Sequence, residues 1–184
     1  MKRVLLTALS ALMLGVALPA AAQTQAPPAA PPVELPPVSM ETVRAVRDFL
    51  IAEGLVVGEP TMQGGFPALP IAEPGLTWGL IFFPCAVDNC MDVRFSAAFS
   101  NELVTPDKVN SWNADRRFLS AHFVRTNTQA GGAVVNYDVL TLQPGGPDRL
   151  GVPLDIWRSG VAGFAVHVGY FQFDQEAAPV AQAQ

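Results

Sequence analysis

The sequence predicts an α+β domain: an antiparallel sheet of about five to six strands with three helices, in the order α-β-β-β-β-α-β-β-α. Two neighbouring runs carry this prediction. Thr77 to Phe83 is apolar on both faces, as in a central strand, and Met91 to Phe99 alternates with the two-residue period of a strand. Segments with helical spacing precede, interrupt and follow the strands, which is typical of helices packed on an antiparallel sheet.

The two ends of the 184-residue chain are predicted to lie outside this domain. Residues 1–22 have the charged start, apolar middle and small residues of a cleaved secretory signal; the alternative, an uncleaved anchor, is disfavoured by Pro19. Residues 23–38, rich in Pro and Ala, are predicted to be an extended linker, 39–172 the folded domain and 173–184 a disordered tail. We therefore expect a bacterial periplasmic or secreted protein with no stable membrane anchor after cleavage.

The first half of the domain is predicted to contain one helix and the first strands. Ser39 is placed to cap the helix, and Gly54 is placed to end it. A short strand at Leu55 to Val57, a loop at 58–65 and a second strand at Phe66 to Ala72 follow. The two prolines of this second strand predict that it lies at an edge of the sheet.

The second half is predicted to contain a helix, two strands and a last long helix. Thr105-Pro106-Asp107 has the cap, the first-turn proline and the acid of a helix start. Leu119 to Arg125 and Ala133 to Leu142 are the strands, and a loop at 143–151 leads to a helix at Pro153 to Phe171. Glycines interrupt the apolar stripe of that helix, which predicts close packing on the core or on a second subunit.

The two cysteines, Cys85 and Cys90, flank four residues at a predicted hairpin tip. We predict a structural disulfide, because the export signal, the even cysteine count and the turn-forming Asp88-Asn89 pair all suit one. A closed zinc site needs about four ligands, and the chain adds only two histidines. A redox-active dithiol is the minor alternative, since such pairs usually have two intervening residues and a helix N-terminus beside them. No metal and no cofactor are predicted.

Trp112, Asn113 and Arg116 form a candidate signature, either structural or partner-binding, in the helix after Thr105. Trp112 is predicted to belong to the core rather than to a ligand platform, because it shares a helix face with Val109. Asn113 is predicted to bond a neighbouring backbone group, with contact to a partner as the alternative.

Catalysis is not predicted. The formal charge of −5 makes nucleic acids and anionic membranes poor partners. The chain has no Gly-x-Ser-x-Gly, no His-Glu-x-x-His, no glycine-rich phosphate loop and no paired-carboxylate motif. The alternative, an enzyme or a small-ligand binder, would need the scattered polar residues to converge in one pocket with shifted pKa values. Those residues are Asp92, Arg94, His122 and Asp138.

Three features also carry a family resemblance: the two hairpin cysteines, the run Val93 to Phe99, and the Asn-x-Trp-Asn helix at 110–113 followed by Arg116-Arg117-Phe118. Together they resemble the YbjN-domain family, described as bacterial sensory transduction regulators, over roughly residues 39–172. The resemblance implies a fold similar to type III secretion chaperones, which hold partner polypeptides and often dimerise, and it implies no catalytic residues. This chain differs from many relatives in carrying an export signal. We expect an exported, non-enzymatic binding or regulatory module whose partner is an unknown polypeptide or a second copy.

Overall fold

A computed structural model describes residues 35–85, 91–125, 131–141 and 146–171. Within these residues, seven strands form one antiparallel sheet with the order β1-β3-β4-β5-β7-β6, and β2 also pairs with β3. The strands are β1 (Val56–Val57), β2 (Thr61–Gln63), β3 (Phe66–Glu73), β4 (Leu76–Phe83), β5 (Met91–Asn101), β6 (Ser120–Arg125) and β7 (Gly131–Thr141). The helices are α1 (Met40–Ala52), α2 (Pro106–Asp115) and α3 (Gly151–His167), with a 3-10 turn at Pro147–Leu150. The predicted α+β class is confirmed.

The region around β3 differs from the prediction in two ways. The predicted loop at 58–65 contains strand β2, and β3 is an inner strand between β4 and the pair β1 and β2. The edge prediction is wrong because both prolines occupy positions where no ladder donor is needed. Pro67 precedes the first β3–β4 pair. The carbonyl of Pro70 accepts the Gly58 amide at 2.8 Å. Pro70 therefore faces the short stretch of chain between the end of β1 and the start of β2.

The alternation predicted for β5 is confirmed, and it separates the two faces of the sheet. Val93, Phe95, Ala97 and Phe99 are buried in one core with the apolar faces of the helices. The opposite face carries a shallow trough of mostly small side chains across β3, β4 and β5. β4 was predicted to be covered on both faces, but its Thr77 is exposed on this second face. Ile81 is buried on this second face, but it does not belong to the main core.

The helix caps follow the sequence. The Ser39 side chain accepts the Glu41 amide at 3.2 Å, and Gly54 has a positive φ of 83° just after α1. The Thr105 hydroxyl accepts the Lys108 amide at 3.3 Å, with Pro106 in the first turn of α2. Helices α1 and α2 therefore start where their cap residues predict.

Helix α3 is displaced from its predicted bounds. The predicted loop before it contains the 3-10 turn, and the helix ends at His167 because Gly169 adopts a positive φ of 78°. Gly160 lies against the buried Leu119, where a Cβ atom would come within 2.7 Å of Cδ2. The close packing predicted from the glycines is therefore between α3 and the segment that joins α2 to β6.

Candidate functional site

Trp112 is a core residue. Its side chain is buried, and its Nε1 donates to the Leu119 carbonyl at 3.2 Å. Its ring packs edge-on against the ring of Phe164 in α3, with 5.1 Å between the two ring centres. The prediction of a core role is confirmed. This ring joins α2 to α3 and fixes the start of the segment that leads into β6.

Asn113 uses its whole side-chain amide on one residue of strand β6. Its Nδ2 donates to the Ala121 carbonyl at 2.8 Å, and its Oδ1 accepts the Ala121 amide at 2.8 Å. The prediction that Asn113 bonds a neighbouring backbone group is confirmed. Both hydrogen bonds hold α2 to the outermost strand of the sheet.

Arg116 and Arg117 follow α2, and each lies over an aromatic ring. The Arg116 guanidinium carbon is 5.1 Å from the centre of the Trp112 ring, and that of Arg117 is 5.2 Å from the centre of Phe118. Phe118 is 52% exposed. Among the described residues, neither arginine forms an ion pair with a carboxylate. The contacts with the rings orient both guanidinium groups but leave their charges uncompensated.

A groove of about 480 Å³ separates this segment from α3, and we call it the α2–α3 groove. Two glycines of α3 line it and allow close packing there: Leu119 fills the space beside Gly160, and a Cβ atom on Gly163 would be 3.7 Å from Trp112. The lining combines apolar side chains with both arginines and one carboxylate: Trp112, Arg116, Arg117, Phe118, Leu119, Asp155, Ile156, Ser159, Gly160 and Gly163.

Three of the four scattered polar residues meet on the face of the sheet opposite the helices, and we call Asp92, Arg94 and Asp138 the sheet cluster. Arg94 and Asp138 are register partners on β5 and β7. Nε of Arg94 donates to Oδ1 of Asp138 at 2.6 Å, and Nη2 donates to Oδ2 at 3.2 Å. The Arg94 guanidinium also lies 5.4 Å from the centre of the Phe83 ring.

Asp92 completes the sheet cluster beside a hollow of about 480 Å³ whose walls include Leu35, Phe66 and Phe83. Burial raises the pKa of Asp92 above its usual value, the charge of Asp138 raises it further, and the charge of Arg94 partly opposes both. The cluster is thus a cross-strand ion pair with a second carboxyl at its side.

His122 does not join the sheet cluster. It pairs with Val134, and Asp138 lies four residues further along β7. At about 3.3 Å per residue, Val134 and Asp138 are roughly 13 Å apart along the strand. The convergence that an enzyme would need is therefore incomplete.

A serine and a histidine that the sequence analysis did not connect lie together at the end of α3. Nε2 of His167 is 3.1 Å from the Ser111 hydroxyl and 2.8 Å from the Lys108 carbonyl. Because a carbonyl only accepts, the shorter contact requires Nε2 to carry a proton, and a protonated Nε2 cannot act as a base toward Ser111. The pair connects α2 to α3 and does not form a nucleophile–base dyad.

The cysteine prediction concerns a segment that is only partly described. Cys85 follows β4, but Cys90 lies outside the described residues, so the disulfide stays a prediction. The described residues contain no group of three or more His, Cys, Asp or Glu that could hold a metal ion. In the same part of the chain, no helix is both long enough and apolar enough to span a bilayer. The signal at 1–22 and the tail at 173–184 also lie outside the described residues.

The groove as a unit was not predicted from the sequence. Arg117 and Phe118 were noted only as part of a resembling run, and Gly160 and Gly163 only as packing residues. The available signal was a pair of cationic residues followed at once by an aromatic residue. That signal does not show which part of α3, some 40 residues later in the chain, forms the opposite wall.

Comparisons with known proteins show that the chain is similar to two solved structures. YbjN from E. coli, a proposed transcription regulator, matches with a TM-score of 0.49 and 14% identity over 74% of this chain and 96% of that chain. An uncharacterised protein from Methanothermobacter thermautotrophicus matches with a TM-score of 0.49 and 10% identity over 70% of this chain and 97% of that chain. No protein-family model and no curated protein matches the chain. Membership of the YbjN family therefore stays a prediction.

Proposed function

We propose that this protein is an exported, non-enzymatic module that holds a polypeptide partner in the α2–α3 groove. The observation that carries the proposal is Phe118, a large aromatic side chain 52% exposed at the rim of an open groove with an apolar floor. Aromatic and arginine side chains around a pocket are the residues that most often dominate binding energy at protein interfaces. A peptide bound there would cover the ring and the two guanidinium groups together.

The arrangement of the remaining polar residues supports a binding role over catalysis. In the sheet cluster, the carboxylate of Asp138 is engaged by Arg94 through both oxygens. His122 lies apart from it, and His167 donates its Nε2 proton to a backbone carbonyl. Reactive groups in enzymes need a base within reach of a nucleophile or of the substrate. The described residues provide no such pair.

Export is part of the proposal and rests on the N-terminal sequence. Lys2 and Arg3 precede the apolar stretch Val4 to Leu18, and small residues follow it. N-terminal sequencing of the protein from a bacterial periplasmic fraction should give a mature start close to Gln23. A protein that keeps Met1 and stays with the membrane would overturn this part and leave the groove proposal standing.

A photocrosslinking experiment tests the polypeptide partner. A photoreactive phenylalanine is placed at Phe118 in the full chain, and the matched control carries it at Val56, which is 70% exposed on β1. We expect one reproducible polypeptide adduct from position 118 and none from position 56. Equal labelling from both positions, or no adduct from position 118, would contradict the proposal. An adduct between two copies of the chain would identify the partner as the protein itself.

A small-ligand site at the sheet cluster is the second candidate. It is favoured by the convergence of Asp92, Arg94 and Asp138 at one hollow and by the raised pKa of Asp92. The pKa of Asp92, followed by NMR on addition of periplasmic small molecules, provides the test. Movement of this pKa together with shifts of the Phe83 ring signals would support the second candidate, and a pKa that does not move would count against it.

A further inference from the structure

We infer that the α2–α3 groove recognises a segment in which a carboxylate side chain stands next to a bulky apolar side chain. This inference rests on the proposed function and specifies the chemistry of its partner. Arg116 and Arg117 form one wall, while the floor is apolar. The segment must therefore satisfy two guanidinium groups and an apolar surface over a short length.

The local placement of the arginines, and not the net charge of the molecule, supports an anionic group in the groove. The chain has a formal charge of −5, and in the described residues Arg47, Arg94 and Arg158 each pair with a carboxylate. Arg116 and Arg117 instead lie over aromatic rings. A guanidinium over a ring keeps the N–H donors at its edge free, and that edge matches the two oxygens of a carboxylate.

The apolar part of the groove explains why a free acidic group alone would bind poorly. An exposed ion pair contributes little because water screens it. The half-buried Ile156 and the exposed Phe118 both line the groove, whose volume of about 480 Å³ has room for an apolar side chain. An apolar side chain that fills this space would exclude water from the neighbouring carboxylate–arginine contact and strengthen it.

Asp155 fixes the direction in which such a segment lies. It lines the groove from α3, on the wall opposite the two arginines, and its side chain is exposed. A second carboxylate on that side would be repelled, so the acidic side chain of the partner must face Arg116 and Arg117. Removal of the Asp155 charge should therefore tighten binding of an acidic segment, the opposite effect to removal of the arginines.

The test uses the full mature chain and a fluorescein-labelled peptide in which two Glu residues precede a Leu-Phe pair, with binding measured by fluorescence anisotropy. We expect Arg116→Gln/Arg117→Gln to weaken binding about tenfold or more, because both charge-assisted contacts are lost. Asp155→Asn should strengthen it by about two- to threefold. The matched control is Arg44→Gln, the same change of charge at an exposed position on α1, and it should leave binding unchanged.

Further measurements separate specific recognition from general effects. Because Arg116 also contacts the buried Trp112, Arg117→Gln alone serves as the variant that leaves the core untouched. A peptide with Gln in place of Glu should bind the wild-type protein about tenfold more weakly. Equal binding of the Glu and Gln peptides, or no effect of either arginine variant, would overturn the inference. The crosslink from position 118 would then still decide the proposed function. If the protein bound dodecanoate but neither peptide, and no polypeptide were crosslinked from position 118, both the inference and the proposed function would be overturned.

Discussion

The sheet cluster and the α2–α3 groove both place arginine beside aromatic rings, but of the two only the sheet cluster holds its arginine in an ion pair with a carboxylate. Arg94 lies over Phe83 and is held by Asp138 through two hydrogen bonds. Arg116 and Arg117 lie over Trp112 and Phe118 with no carboxylate in ion-pair contact among the described residues. A guanidinium that is already paired with a carboxylate gains little from an added anion, whereas a guanidinium without such a pair can gain more. The same residue types thus form an ion pair in one place and lie only over rings in the other, and the proposed binding role rests on that difference.

The largest effect should come from the ring beneath the groove. Trp112→Ala should lower the free energy of unfolding by about 3–5 kcal/mol, because it removes a buried ring and leaves a cavity. Denaturant unfolding followed by circular dichroism measures this. The matched change beside the sheet cluster is Phe83→Ala, which should lower the free energy of unfolding clearly less because that ring is only half-buried. A loss below about 1 kcal/mol for Trp112→Ala would mean that the ring does not belong to the core.

The next effect concerns the amide that holds α2 to the sheet. Asn113→Ala should lower the free energy of unfolding by about 1–3 kcal/mol, because two hydrogen bonds are lost at about 0.5–1.5 kcal/mol each. Asn110→Ala in the same helix is the control, since Asn110 is exposed and forms no side-chain hydrogen bond in the described structure. Because alanine has the higher helix propensity, Asn110→Ala should not lower the free energy of unfolding. Equal losses for the two variants would show that the contact with Ala121 does not cause the change.

The ion pair of the sheet cluster should have a smaller effect. A double-mutant cycle of Arg94→Gln and Asp138→Asn should give a coupling energy of about 0.2–1 kcal/mol, because both side chains are substantially exposed. The coupling should decrease in high salt. A value above about 2 kcal/mol would mean that the pair is shielded from water, which would favour the sheet cluster as the functional site.

The smallest effect is a change in pH dependence. Since the pKa of Asp92 is raised on folding, the folded state favours the protonated carboxyl. This contribution to stability is complete below the ordinary pKa of 3.8 and is lost as the pH rises through the raised value. Asp92→Asn stays neutral at every pH, so it should be slightly more stable than wild type near pH 7. Thermal unfolding from pH 3 to 8 should show this advantage disappear at the acid end, and an advantage that grows toward acid pH would contradict it.

The parts of the fold that the sequence predicts well are those whose signals are local. The alternation of β5, the Ser39 and Thr105 caps, and the burial of Trp112 each depend on residues within one element. The position of β3 was not predictable in this way. The prolines remove donors, but whether a donor is needed depends on the register with β4 and on the break between β1 and β2.

The candidate site shows the same division. The Asn113 amide could be predicted to find a backbone partner because such amides are usually satisfied near their own helix. The pairing of Arg94 with Asp138 depends on the β5–β7 register, which brings together residues 44 positions apart. The groove depends on Gly160 and Gly163 facing Leu119 and Trp112, a matter of how two helices cross. Contacts of that kind are set by the packing of the whole domain.

The hydrogen bonds between Asn113 and Ala121 also decide how other chains can approach this molecule. A side-chain amide that pairs with a strand residue acts as a short substitute for a further strand, so an incoming strand could pair with Ala121 only by displacing it. The opposite border of the sheet presents strands of only two and three residues, β1 and β2. Among the described residues, growth of the sheet from one copy to the next is thus hindered near the start of β6 and given little template at β1 and β2.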